Sequence, residues 1–260
     1  MDRRKSMRPN RRPFVAGNWK MNLTIPEGLA LASELRRVVE RMRSVDIGVF
    51  PSAVAVHPVS ARLTDSRILV GGQNVYAGGF GAFTGETSAD MLKDTGATWC
   101  LIGHSERRHV FGETIKDTNR KLHDLTAAGI KSILCIGETI EEREADRTIA
   151  VLQAQLDGGL DGFQISAAED IVIAYEPVWA IGTGHTASVE QVNEIHTWIR
   201  GWLKERFSAE AGDEIRIQYG GSVKPSNAAE LMTVPDVDGA LVGGAALKAD
   251  SFAAIVKAAL

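Results

Sequence analysis

Eight short apolar runs recur along the chain at nearly even spacing, and this repetition constrains the fold more than any other feature. They are Phe14–Asn18, Asp46–Phe50, Ile68–Gln73, Thr98–Ile102, Ser132–Ile136, Ile171–Tyr175, Ile215–Tyr219 and Gly239–Val242. From Val15 to Leu241 the seven intervals average about 32 residues, the length that one strand and its return helix require. The runs are continuously apolar rather than alternating, as strands covered on both faces should be. Amphipathic stretches lie between them, including Glu27–Met42, Asp117–Ala128, Ile140–Leu156 and Val189–Phe207. In the last, Val192, Ile195, Ile199, Trp202 and Leu203 fall at helical spacing, which makes them a core-facing stripe.

Eight strands separated by helices, with no Pro/Gly/Ser linker longer than a turn, predict an α/β fold. The expected architecture is a single-domain (β/α)8 barrel of eight parallel strands over residues 14–260. A doubly wound open sheet uses the same alternation. Against it, no GxGxxG follows the first strand and no Walker sequence occurs. At 260 residues and 44% apolar, the chain can bury a core without disulfide or metal staples.

Charge is unevenly placed. Residues 1–13 carry six Lys/Arg against one Asp, which leaves 14–260 at net −9. The first segment is therefore expected to be a solvated basic extension, and the acidic body suits neither nucleic acid nor any other polyanion. Arg11-Arg12-Pro13 superficially resembles a twin-Arg export signal, but Asn18 and Lys20 interrupt the apolar run that such a signal needs. No window approaches the length of a membrane-spanning helix. Cys100 and Cys135 sit in apolar runs without ligand spacing, so they read as buried, reduced thiols of a cytoplasmic protein.

A barrel places its reactive groups at the C-terminal ends of the strands. There the first run ends in Asn18-Trp19-Lys20, the fourth in Gly103-His104-Ser105-Glu106, and the sixth in Glu176-Pro177. The seventh leads into Gly220-Gly221-Ser222 and the eighth into Gly243-Gly244. Each element alone has an ordinary explanation: a surface lysine, a packed histidine, a glycine turn. Their convergence on one rim does not. His104 precedes an expected helix start at Ser105-Glu106, whose backbone N–H groups disfavour a proton on the imidazole. A carboxylate at a strand tip is partly desolvated, which suits a general base. Paired glycines after the last two strands offer exposed N–H groups to a phosphate. Pro177–Gly184, apolar at its tip, reads as a lid that excludes water.

Taken in order, Gly17-Asn18-Trp19-Lys20-Met21-Asn22, Gly103-His104-Ser105-Glu106-Arg107-Arg108 and Cys135-Ile136-Gly137-Glu138 resemble the motifs of one family. So do Tyr175-Glu176-Pro177-Val178-Trp179-Ala180-Ile181-Gly182-Thr183-Gly184, Tyr219-Gly220-Gly221-Ser222-Val223 and Gly243-Gly244. The family is triosephosphate isomerase, and the resemblance runs from about Phe14 to Leu260. It implies interconversion of dihydroxyacetone phosphate and glyceraldehyde 3-phosphate, without metal or organic cofactor. Glu176 would be the base, His104 the neutral electrophile and Lys20, with Asn18, the partner of the substrate oxygens. Glu106 would pair with Lys20, and Gly182, Ser222, Gly243 and Gly244 would hold the phosphate. A carboxylate base, a neutral histidine and loop closure are the features this family exemplifies. The resemblance also implies a homodimer in which the 73–88 loop, through Phe83 and Thr84, docks near the partner's Asn18 and Lys20. His185 departs from the family, which usually has Lys at that hinge of the lid. The rival readings are a non-catalytic barrel and a barrel enzyme acting on a larger sugar phosphate.

Overall fold

The computed structural model describes residues 11–182 and 186–260. Its eight strands close into one parallel barrel in sequence order. They are β1 (Phe14–Asn18), β2 (Asp46–Phe50), β3 (Ile68–Gly72), β4 (Trp99–Ile102), β5 (Lys131–Ile136), β6 (Ile171–Tyr175), β7 (Arg216–Tyr219) and β8 (Gly239–Val242). Closure is direct: Phe14 pairs with Asp46 on one side and with Gly239 on the other.

Side-chain alternation divides the core in two. Phe14, Ala16, Trp99, Leu101, Ile133, Cys135, Val172 and Ala174 fill the barrel. Their neighbours in sequence, among them Val15, Cys100, Ile102, Leu134 and Ile173, face the surrounding helices. Both faces are buried, so most of the runs carry no polar alternation. β7 departs from the expected continuous apolar run: Arg216 and Gln218 alternate with Ile217 and lie on the barrel side, where Arg216 packs on the Phe14 and Trp99 rings and Gln218 Nε2 donates to the Phe14 carbonyl at 2.9 Å.

One expected helix is two. Ile140–Leu156 breaks into Ile140–Glu144 and Thr148–Gly159, with Asp146 at φ 54° between them. The apolar periodicity continues through the break, but a left-handed residue ends the hydrogen-bond ladder.

The N-terminal segment also departs from expectation. Arg11 is buried, and its Nε lies 2.8 Å from Asp238 Oδ1. Arg200 reaches the same carboxylate at Oδ2 (2.8 Å), and both guanidinium groups also meet Asp236. Arg12 Nε pairs with Asp46 at 2.6 Å. Two of the residues assigned to a solvated tail therefore belong to the floor of the barrel. A local excess of positive charge carried no sign of the aspartates more than 200 positions away that bind Arg11.

Candidate active site

At the opposite end, the strand tips surround one cavity of about 280 Å³. Asn18, Lys20, His104, Glu176, Gly182, Ser222, Gly243 and Gly244 all line it. Glu106 stands behind Lys20 and reaches it from outside the cavity wall, its carboxylate 2.5 Å from Nζ.

Lys20 is held by its own backbone. Its φ is 51°, a left-handed conformation costly for a side chain with a Cβ. Asn18 Oδ1 accepts the Lys20 N–H at 2.9 Å, and Gln73 Nε2 donates to the Lys20 carbonyl at 2.8 Å. Gln73 also donates to the Phe50 carbonyl, which ties the rim of β2 to the turn after β1. A residue kept in a sparse backbone region by its neighbours has its ammonium aimed by the fold rather than by chance.

His104 caps the short helix Ser105–His109, where its Nδ1 accepts the Glu106 N–H at 3.2 Å. That bond fixes the tautomer: Nε2 carries the hydrogen and lies 3.0 Å from Glu176 Oε1. The other carboxylate oxygen of Glu176 accepts the Ser105 N–H at 2.9 Å. Glu176 is 1% exposed.

Burial alone would push the Glu176 carboxyl up. The His104 contact, the Ser105 N–H and the charge of Lys20 outweigh it, so the group sits below the usual carboxylate range. For His104, burial disfavours the charged ring, but the carboxylate against Nε2 prevails and raises its proton affinity. The sequence expectation of a neutral imidazole rested on the helix N–H alone. That N–H is in place, but in this resting arrangement Glu176 acts more strongly.

Glycine is required where the base meets its neighbours. A Cβ on Gly137 would overlap the Glu176 carbonyl, and one on Gly220 would lie 2.8 Å from Glu176 Cγ. Gly220 also donates to the Tyr175 carbonyl at 2.7 Å, so the seventh loop is sewn to the strand that carries Glu176.

The segment after Glu176 is pinned at its start. Trp179 Nε1, Tyr175 Oη and Arg143 Nη1 all converge on Glu138 Oε1 at 3.0–3.2 Å. Arg143 also covers the Trp179 ring. The indole is therefore half-buried. Ile181 and Gly182 reach the cavity, whereas Thr183, Gly184 and His185 lie outside the described residues.

Several participants escaped the sequence reading. Gln73 ends the third apolar run and stands on the same rim, so the rule that found Lys20 would have found it. Asn227 brackets the seventh loop: its Nδ2 donates to the Ser222 carbonyl at 2.9 Å and its Oδ1 accepts the Lys224 N–H at 2.8 Å. Lys224-Pro225-Ser226-Asn227 is a turn signal, but nothing in it announces the bracket. Among the described residues no group of three His, Cys, Asp or Glu is placed to hold a metal ion, and no helix is long and apolar enough to cross a membrane.

Comparison with known proteins agrees with the geometry. The family model described as triosephosphate isomerase matches residues 13–259. A triosephosphate isomerase of Chlorobium phaeovibrioides is 52% identical, over 96% of this chain and 99% of its own. That of Rhodopirellula baltica is 48% identical over 96% and 98%. The crystal structure of triosephosphate isomerase from Bartonella henselae superposes with a TM-score of 0.87, at 41% identity and covering 95% and 98% of the two chains. With a closed parallel barrel, one rim cavity and similarity over nearly its whole length, the chain belongs to the triosephosphate isomerase family.

Proposed function

We propose that Glu176, His104 and Lys20 divide the work of interconverting dihydroxyacetone phosphate and D-glyceraldehyde 3-phosphate, the reaction of the family, in glycolysis and gluconeogenesis. One observation carries this division. A desolvated carboxylate touches a tautomer-fixed imidazole inside a cavity that also holds an ammonium and three backbone loops rich in N–H groups. Glu176 removes the proton from the carbon beside the carbonyl and returns it to the neighbouring carbon. His104 donates from Nε2 to the oxygen on which charge develops, and Lys20, with Asn18, stabilises the enediolate. Glu106 orients Lys20. Gly182, Ser222, Gly243 and Gly244 bind the phosphate.

The resting contacts give the base its timing. To reach a substrate carbon, Glu176 must turn away from the Ser105 N–H and His104, the groups that lower its proton affinity. Burial then remains and raises it, so the carboxylate becomes a stronger base as it approaches the carbon. The same turn removes the group that raises the affinity of His104 and leaves the Glu106 N–H on Nδ1, which favours a neutral ring. Closure of the segment after Glu176 excludes water from an intermediate prone to lose phosphate.

The working unit in this reading is a cytoplasmic homodimer. Phe80 is 74% exposed and Phe83 44%, at the tip of a loop whose root is fixed by the Gly78 N–H to Asp124. An apolar tip on a fixed root suits docking better than solvent. Cys100 and Cys135 are both unpaired and buried, consistent with a reducing compartment. Residues 14–260 form the catalytic unit, with Arg11 and Arg12 joined to its floor.

Glu176→Asp tests the assignment, because it retracts the carboxylate without removing it. Isomerisation of glyceraldehyde 3-phosphate should fall by about a hundredfold, the loss that a 1 Å misplacement can cause. Equal rates in both proteins would mean that another group takes the proton.

A further inference from the structure

The cavity is lined by two cations among the described residues, Lys20 and Lys224. They differ in state. Lys20 is already paired, its ammonium 2.5 Å from Glu106, so its field is largely cancelled at a distance. Lys224 is exposed and, among the described residues, has no carboxylate within ion-pair distance. Its backbone is nonetheless fixed. Its N–H bonds to Asn227 Oδ1, its carbonyl accepts the Asn227 and Ala228 N–H groups at 3.1 and 3.0 Å, and Asn227 also holds the Ser222 carbonyl. An unpaired ammonium thus stands two residues from Ser222, on a clamped turn at the mouth of the cavity.

The rest of the protein makes that charge consequential. Residues 14–260 carry net −9, and a triose phosphate is close to a dianion at neutral pH. With Arg11 and Arg12 joined to its floor the folded body is still net −7, so as a whole it repels its substrate, and approach depends on a local field of the opposite sign. We propose that Lys224 steers the substrate phosphate into the cavity, acting on encounter rather than on chemistry, as an unpaired cation beside the Ser222 loop. This rests on the triose phosphate reading, since an uncharged substrate would feel no such pull. Steering shows in kcat/KM when encounter limits the rate, and this family is a standard example of an enzyme at the diffusional ceiling.

The test compares the wild type with Lys224→Gln, Lys224→Glu and Lys224→Arg over a sodium chloride series. kcat/KM for glyceraldehyde 3-phosphate is measured at each salt. At about 10 mM ionic strength Lys224→Gln should lose about fourfold, the Coulomb effect of one charge on a dianion some 10 Å away in water. At about 300 mM, where screening acts within about 6 Å, the two should converge. Lys224→Glu should lose more, and Lys224→Arg should restore the wild-type slope. A misfolded or loosened loop would lower activity by a similar factor at every salt and leave the salt slope as in the wild type. Equal salt slopes in wild type and Lys224→Gln would overturn the inference.

Calorimetric binding of glycerol 3-phosphate, which has no carbonyl to isomerise, is measured in the same series. If the wild type binds it with a salt slope that Lys224→Gln flattens, yet isomerises nothing, the charge inference stands and the catalytic reading falls. If turnover is fast and neither slope depends on residue 224, the reverse holds.

Discussion

The two ends of the barrel use the same kinds of side chain for opposite purposes. On the floor, Arg11 and Arg200 grip both oxygens of Asp238, and Arg216 pairs with Asp46 at 2.7 Å between the rings of Phe14 and Trp99. Asp238 also accepts the Ile217 N–H through Oδ2. These charges are mutually satisfied and turned inward. On the rim, the pairs lead into open space: the Lys20–Glu106 ion pair puts Lys20 on the cavity wall, the His104–Glu176 hydrogen bond puts both its members there, and Lys20 is held in a strained backbone conformation. A pair that closes on itself stabilises. A pair with one face left open is available to a third party.

Asp238→Ala puts the largest effect on the floor. It takes from two buried guanidinium groups the buried carboxylate that both grip and leaves them to share Asp236, and breaking a buried pair this way costs about 3–5 kcal/mol. Urea unfolding should show that loss, while kcat of the folded fraction stays within about twofold of the wild type. Glu176→Asp should do the opposite, with activity collapsing and the unfolding midpoint nearly unmoved. A variant at either end that lowered both quantities together would break the division.

A smaller effect tests the link between the ends. His196 is buried between the rings of Tyr175 and Tyr219, and its Nδ1 donates to the Asp236 carbonyl at 2.9 Å. Its Nε2 is buried with no partner among the described residues, so a second proton there would have nothing to bond to among them. Burial pushes its pKa down to about 4. The unfolded chain then binds a proton that the folded chain refuses, so this stability is full above pH about 6.5 and is lost as pH falls toward 4. The shift corresponds to about 3 kcal/mol. Unfolding free energies measured from pH 7 to 4 should fall less steeply in His196→Gln, which keeps a donor for Asp236. Parallel curves would mean that His196 accepts its proton freely.

The rim was more legible in sequence than the floor, for a physical reason. Strand tips carry Lys20, His104 and Glu176 within a few residues of an apolar run, so a local pattern places them. Arg11, Asp236 and Asp238 meet only after the chain has closed, and no local pattern couples them. The same limit hid Asn227, whose two bonds join residues that follow the seventh run but whose own position looks like turn. It also misled the reading of Ile140–Leu156, where a stripe continued across a break that one backbone angle makes. The protonation of His104 shows the limit in another form. The helix N–H was foreseeable from the residues that follow, whereas the carboxylate against Nε2 comes from another strand.

The smallest expected effect falls on Asn227, where the two strategies meet. The phosphate loop must be rigid, as the floor is, yet a charged clamp there would compete with the phosphate or repel it. A neutral amide avoids both, holding the Ser222 carbonyl with its donor and the Lys224 N–H with its acceptor. Asn227→Ala removes two hydrogen bonds, each worth about 1 kcal/mol, from a half-exposed turn whose groups water can partly satisfy. KM for glyceraldehyde 3-phosphate and the inhibition constant of inorganic phosphate should rise together by about three- to tenfold, with kcat changed less than twofold. Asn227→Asp keeps the acceptor, loses the donor and adds the charge. It should therefore bind phosphate more weakly than Asn227→Ala, although it preserves more of the clamp. If Asn227→Asp instead bound phosphate better than Asn227→Ala, rigidity would outweigh charge at this loop, and the contrast between the two ends would be one of position rather than of principle.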